Sequence, residues 1–229
     1  MKEFEKSTLI EIYEACKGHN IFHQDTGAGI ILRHDVDDCM EKSYRCSKIQ
    51  DDIGVKATYF ILDTKPYFKN PETFAMLREM QSNGHEIGWH NDALLTHYIK
   101  GADLRKEIER PLKKLRDEGL NIKGTVAHGN RIKYGFVNHQ VWKGIDKNNL
   151  YQTVPWTKNI RVPIEGVGNE QFYLSEFGLE YDGMVTIDYD IYKNDNSKIW
   201  FGDIVSIIRK IIAERKRMIF MLHPQHWNI

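Results

Sequence analysis

An apolar run of strand type, Gly29-Ile30-Ile31-Leu32, opens directly onto Arg33-His34-Asp35-Val36-Asp37-Asp38. Three carboxylates, a histidine and an arginine at the end of a buried element are expensive to hide unless they pair with one another or bind a metal. A parallel α/β fold has a use for such a cluster, because its chemistry sits at the carboxyl ends of the strands.

The same pattern recurs along the chain. Residues 55–62 are β-branched and aromatic and predict a strand. Residues 85–90 predict a short strand ending in His90, 122–127 a strand ending at His128-Gly129, and 218–222 a final buried strand ending in His223. Helices fall between them. Ser7 is the expected cap of a first helix to about residue 17, stopped by Gly18. Residues 43–53 have helical spacing and end at Gly54, and 71–82 begin on proline and stop at Asn83-Gly84. Residues 102–118 form a charged amphipathic pattern that Pro111 is expected to kink or split, with residues 91–101 read as a loop before it. Residues 202–217 carry Ile204, Ile207, Ile208, Ile211 and Ile212 on one face. Between 130 and 163 the pattern gives only turns, a short helix near 141–146 and aromatic loops; 172–177 and 184–190 have strand character.

Strands alternating with helices predict parallel pairing through right-handed crossovers. First and last strands both deliver reactive side chains, which favours an α/β barrel or barrel-like sheet over an open one. With 229 residues and no linker or repeat, one domain is expected over 1–229, residues 1–27 forming a helical extension packed on it.

Lys+Arg and Asp+Glu both number 32, so net charge points neither to nucleic acid nor to an anionic membrane. The three cysteines, Cys16, Cys39 and Cys46, have no CxxC spacing, which argues against a disulfide framework or zinc ribbon. Residues 1–7 are charged and polar with no apolar run behind them, and no stretch is long and apolar enough to span a bilayer. A cytoplasmic protein without membrane insertion is the expectation; oligomeric state is left open.

Asp35-x-Asp37 offers two carboxylates on one face of an extended segment: one can ligate a divalent ion while the other acts as a general base. Turn formation and helix capping are the competing uses of such clusters, and Asp38 is read as a cap. His90 is a ligand candidate, His85 at the other end of its strand a hydrogen-bonded structural histidine, and His97 and Asp92 possible ligands from the following loop. His128 repeats the strand-end pattern. An imidazole at His223 suits a general acid for a leaving amine. Tyr134, Trp142, Tyr151, Trp156 and Trp200 are candidates to stack on sugar rings, though packing is the commoner use of aromatics.

ILRHDVDD, GVKATYFIL, NGHEIGWH and FMLHPQHW together resemble the polysaccharide deacetylases, the NodB-homology or family 4 carbohydrate esterases, in a divergent RHDVD-type branch. The resemblance runs from about residue 28 to the end of the chain. It implies a distorted (β/α)7 barrel and a divalent metal, zinc first, polarising an N-acetyl carbonyl. Carried over, Asp35 is the base, Asp37 and His90 are ligands and His223 is the acid. The family's second histidine falls four residues after the first, where Leu94 stands here; His128 is therefore taken as third ligand, with His97 the other candidate. Arg33 and Arg131 are the candidates for the arginine partner of the base. The implied activity is N-deacetylation of an amino sugar or lipid-linked saccharide in surface-saccharide biosynthesis. The alternatives are a catalytically inactive saccharide-binding protein on the same fold, or a hydrolase of another carbon–nitrogen amide bond.

Overall fold

The computed structural model describes residues 4–25, 27–129, 138, 173–174, 179–180 and 204–229. In chain order the elements are β1 (Phe4–Glu5), α1 (Lys6–Cys16), β2 (Gly29–Val36), α2 (Met40–Ile53), β3 (Thr58–Leu62), α3 (Pro71–Ser82), β4 (Glu86–Asn91), α4 (Ala93–Lys100), α5 (Leu104–Asp117), β5 (Gly124–Ala127), β6 (Tyr173–Leu174), β7 (Leu179–Glu180), α6 (Ile204–Ala213), β8 (Arg217–Leu222) and β9 (Trp227–Asn228). Short 3-10 turns lie at Pro66–Lys69 and Pro224–His226. Two compact units result: Met1–Tyr59, Ala75–Glu86 and Phe177–Ile229 form the first, Phe60–Phe74 and Ile87–Glu176 the second. Strand β3 passes from one to the other.

In the first unit the hydrogen-bonded order is β3-β2-β8-β7. β2 and β8 pair in parallel from Gly29↔Arg217 to His34↔Leu222, and β7 joins β8 in parallel at Leu179↔Phe220. All eight residues of β2 are buried, so its first half is apolar and its second half must satisfy its charges internally. Alternation along the strand puts Arg33 and Asp35 on one face and His34 on the other, toward the helices. There His34 Nε2 lies 3.0 Å from Tyr13 Oη and 2.8 Å from Gln50 Nε2, and Tyr59 Oη donates to Gln50 Oε1 at 2.7 Å. This network explains why the buried face of α2 includes Ser43, Ser47 and Gln50 rather than an apolar stripe. α1 buries Leu9, Ile12, Tyr13 and Cys16 at helical spacing, packing on α2 and α6. α6 buries Ile204, Ile208 and Ile211, with Ile207 and Ile212 half-buried. The chain ends meet in a two-stranded parallel sheet, Phe4↔Trp227 and Glu5↔Asn228, which the sequence pattern did not announce. Lys42 Nζ holds that end by donating to Gln225 O and Trp227 O, and Arg45 Nη1 by donating to Ile229 O.

In the second unit the order is β6-β5-β4, parallel, with Trp89↔Thr125, His90↔Val126 and Asn91↔Ala127 in register. α4 and α5 pack together. Gly88 is required by its neighbours: a Cβ there would meet the Phe60 ring at 2.4 Å and Gly124 O at 3.1 Å.

The α/β class with parallel strands is as expected, and α3 spans the predicted residues 71–82. Several expectations are corrected. Ser7 lies inside α1, whose N-cap is Glu5, and Asp38 does not cap α2, whose N-cap is Cys39. β2 continues two residues past His34, so Asp35 is part of the strand. The supposed loop after His90 holds α4, bounded by Asp92 and a left-handed Gly101. α5 runs unbroken through Pro111, which sits on its buried face. The predicted helix near 141–146, the strand expected at 184–190 and the candidate sugar-stacking residues Tyr134, Trp142, Tyr151, Trp156 and Trp200 lie outside the described residues. Among the described residues, no helix is long and apolar enough to cross a membrane.

Candidate functional site

At the carboxyl ends of β2 and β8 the first unit gathers Arg33, Asp35, Asp37 and His223. Arg33 grips Asp35 with two parallel bonds, Nε to Oδ1 at 2.7 Å and Nη2 to Oδ2 at 2.5 Å, and both residues are at most 3% exposed. The fork-to-fork pair fixes the carboxylate plane as a single lysine contact cannot. It also identifies Arg33 as the partner of Asp35; Arg131 lies outside the described residues. Past the strand, Asp37 N donates to Asp35 O at 3.1 Å, closing a tight turn rather than continuing the extended segment. The parallel register carries the end of β8 alongside, and His223 Nε2 stands 3.8 Å from Asp37 Oδ2. Pro224 starts a short turn at once, and His226 lies against His223 with ring centroids 5.5 Å apart.

His85, at the start of β4, is structural as expected: Ala57 N donates to its Nδ1, and its Nε2 lies 3.0 Å from Asp51 Oδ1. Burial pulls its pKa down to about 4 despite that carboxylate. Burial, with His85 nearby, pulls His34 lower still, to about 3.

The second unit gathers His90, His128 and Asp92. The His90 and His128 rings meet edge to face, centroids 5.2 Å apart. His90 Nδ1 is 3.2 Å from Val126 O, and His128 Nδ1 is 3.3 Å from Asp92 Oδ1. Asp92 is further held by Thr64 Oγ1 and Asn138 Nδ2. His97, the other ligand candidate, sits on α4 with Nδ1 2.6 Å from Ala102 O, closing the helix end. Asp63, just past β3, takes a bond from Trp89 Nε1 at 2.9 Å and one from Arg110 Nη2 at 3.0 Å; burial raises its pKa. Sequence reading missed Asp63, Thr64, Arg110 and Asn138. A carboxylate directly after a strand is a signal that would have found Asp63.

Of the expected ligands, Asp37 belongs to the first unit and His90 and His128 to the second. Their chemistry, one carboxylate and two imidazoles, suits zinc. His90 also has the outer support that a metal-ligating histidine needs, its Nδ1 at the Val126 carbonyl. Among the described residues, no group of three or more His, Cys, Asp and Glu side chains stands where it could hold one ion.

No family model matches the chain, and no curated protein matches it. Solved structures similar to it include a polysaccharide deacetylase from Bacillus cereus, at 13% identity over 86% of this chain and 79% of that one, with a TM-score of 0.42. The chitin deacetylase of Colletotrichum lindemuthianum gives 14% identity, 91% and 79% coverage and a TM-score of 0.44. A peptidoglycan deacetylase of Bacillus subtilis gives 13%, 85%, 88% and 0.40. With TM-scores below 0.5, no residue's role follows from these likenesses.

Proposed function

We propose that the protein is a metal-dependent hydrolase removing an N-acetyl or related acyl group from an amino sugar in surface-saccharide biosynthesis. The observation that carries the reading is the meeting of the Arg33–Asp35 pair, Asp37 and His223 at the ends of two neighbouring parallel strands. In the proposed reaction Asp35 takes a proton from the attacking water. Arg33 donates to both Asp35 oxygens and so fixes the plane of the carboxylate for that role. Water oxygen bonds to the acyl carbon, the carbon–nitrogen bond breaks, and His223 gives its proton to the departing amine. A bound divalent ion, zinc first, would polarise the acyl carbonyl as a Lewis acid. The sequence pattern, not the geometry, nominates Asp37, His90 and His128 as its ligands. The proposed substrate is an activated or lipid-linked saccharide.

Metal analysis of protein purified without chelator, followed by an assay for acetate release from N-acetylated sugar nucleotides, tests this. A stoichiometric metal lost in Asp37→Ala and release of acetate are the expected results. Metal-free, inert protein would overturn the proposal. That outcome fits the second reading, a saccharide-binding protein without catalysis on the same fold.

A further inference from the structure

Asn138 makes more use of its polar atoms than any surface asparagine needs to. Its side chain is fully buried. Nδ2 donates to Asp92 Oδ1 at 3.2 Å and to His128 O at 3.1 Å, and Oδ1 accepts from Leu95 N at 3.0 Å. Its own carbonyl accepts from Asn91 Nδ2, again at 3.0 Å. One residue thus ties the end of β4 and the first turn of α4 to the end of β5, and both donors and the acceptor of its amide are engaged. Asp92 is gripped from two sides by this amide and by the Thr64 hydroxyl, and its Oδ1 lies 3.3 Å from His128 Nδ1, a charge contact rather than a hydrogen bond. As the residue preceding α4, Asp92 would ordinarily cap that helix, yet its side chain makes no capping bond; Asn91 Oδ1 accepts from Ala93 N instead. Its carboxylate is instead held by Asn138 and Thr64 beside the histidine.

We infer that Asn138 and Asp92 are positioning residues for His128, with Asn138 holding Asp92 and the negative charge of Asp92 drawing the imidazole proton to Nδ1. A carboxylate at one ring nitrogen selects the tautomer whose other nitrogen offers a lone pair, so Nε2 of His128 becomes the acceptor or ligand atom. The benefit to catalysis rests on the hydrolase reading; the bracket itself does not.

The test is a long-range 1H–15N correlation spectrum of the imidazoles in the full chain, at about pH 8.5, where an ordinary imidazole is neutral. His128→Gln assigns the signal. His128 is expected with its proton on Nδ1 in the wild type and mainly on Nε2 in Asp92→Ala, with a partial shift in Asn138→Ala. Asp92→Asn is the control: Asn138 Nδ2 keeps an amide oxygen at the position facing His128 Nδ1, so the proton is expected to stay there. If neither alanine variant folds, the wild-type tautomer decides. An Nε2–H wild type, or a tautomer unmoved by Asp92→Ala, overturns the inference. Titration with Zn2+ alone adds a second readout, with affinity falling about 10–100-fold in Asp92→Ala. A wild type that shows the tautomer shift but binds no zinc supports the bracket and defeats the hydrolase reading, so the two fail separately.

Discussion

Arg33 and Asp35 are buried together, and their two parallel bonds set one charge against the other. Removing one takes a charged partner from the other inside the core, and Arg33→Ala should destabilise the protein by about 3–5 kcal/mol in denaturant unfolding. Replacing both by apolar residues of similar size, as in Arg33→Met with Asp35→Leu, should be much closer to neutral while abolishing any activity. Equal costs for the single and double variants would show that the pair is not acting as a unit. His223 is placed differently: partly exposed and 3.8 Å from Asp37, it contributes little to the core, and its loss is expected to show in chemistry rather than in stability.

Among the elements, β4 shows how packing sets residue choice. Gly88 stands against the Phe60 ring and the Gly124 carbonyl, and Phe60 is fully buried. Gly88→Ala should therefore cost about 1–3 kcal/mol by overpacking; an unfolding midpoint equal to wild type would contradict this contact. Helices with clear punctuation were legible. α3 has proline at its start and Asn83-Gly84 after it, and α6 has its isoleucine stripe. α4 carried the same kind of punctuation, Asp92 before it and Gly101 after it, but its eight residues sit between a strand and a longer charged helix and read as a loop. Strand ends were the most informative signal, since Asp35, Asp37, His90, His128 and His223 could be named from them. Asn138 could not be found that way, because its hydrogen bonds reach back more than forty residues to Asn91, Asp92 and Leu95 and leave no local pattern. The β1–β9 pair, two residues a side, is below the length at which alternation can be seen.

For the molecule as a whole, buried neutral histidines make stability depend on pH. His34 and His85 have folded pKa values of about 3 and about 4, below the ordinary 6.5. The unfolded chain therefore binds more protons in the interval between. Their contribution is complete above pH 6.5 and is lost as pH falls toward those folded values, at up to about 1.4 kcal/mol per pH unit for each group. Urea unfolding between pH 4 and 7 should show this slope, and His34→Gln should reduce it; a slope unchanged by the substitution would contradict the assignment. The joined chain ends are a second global feature. Trp227 is fully buried opposite Phe4, and Trp227→Ala should cost about 3–5 kcal/mol by calorimetry or denaturant. The central functional claim, that Asp35 and His223 act as base and acid in amide hydrolysis, is met most directly by the rate of acetate release from an N-acetylated amino sugar by His223→Gln. A fall of about 10²–10⁴-fold with the unfolding midpoint retained is predicted, and a rate equal to wild type would contradict it.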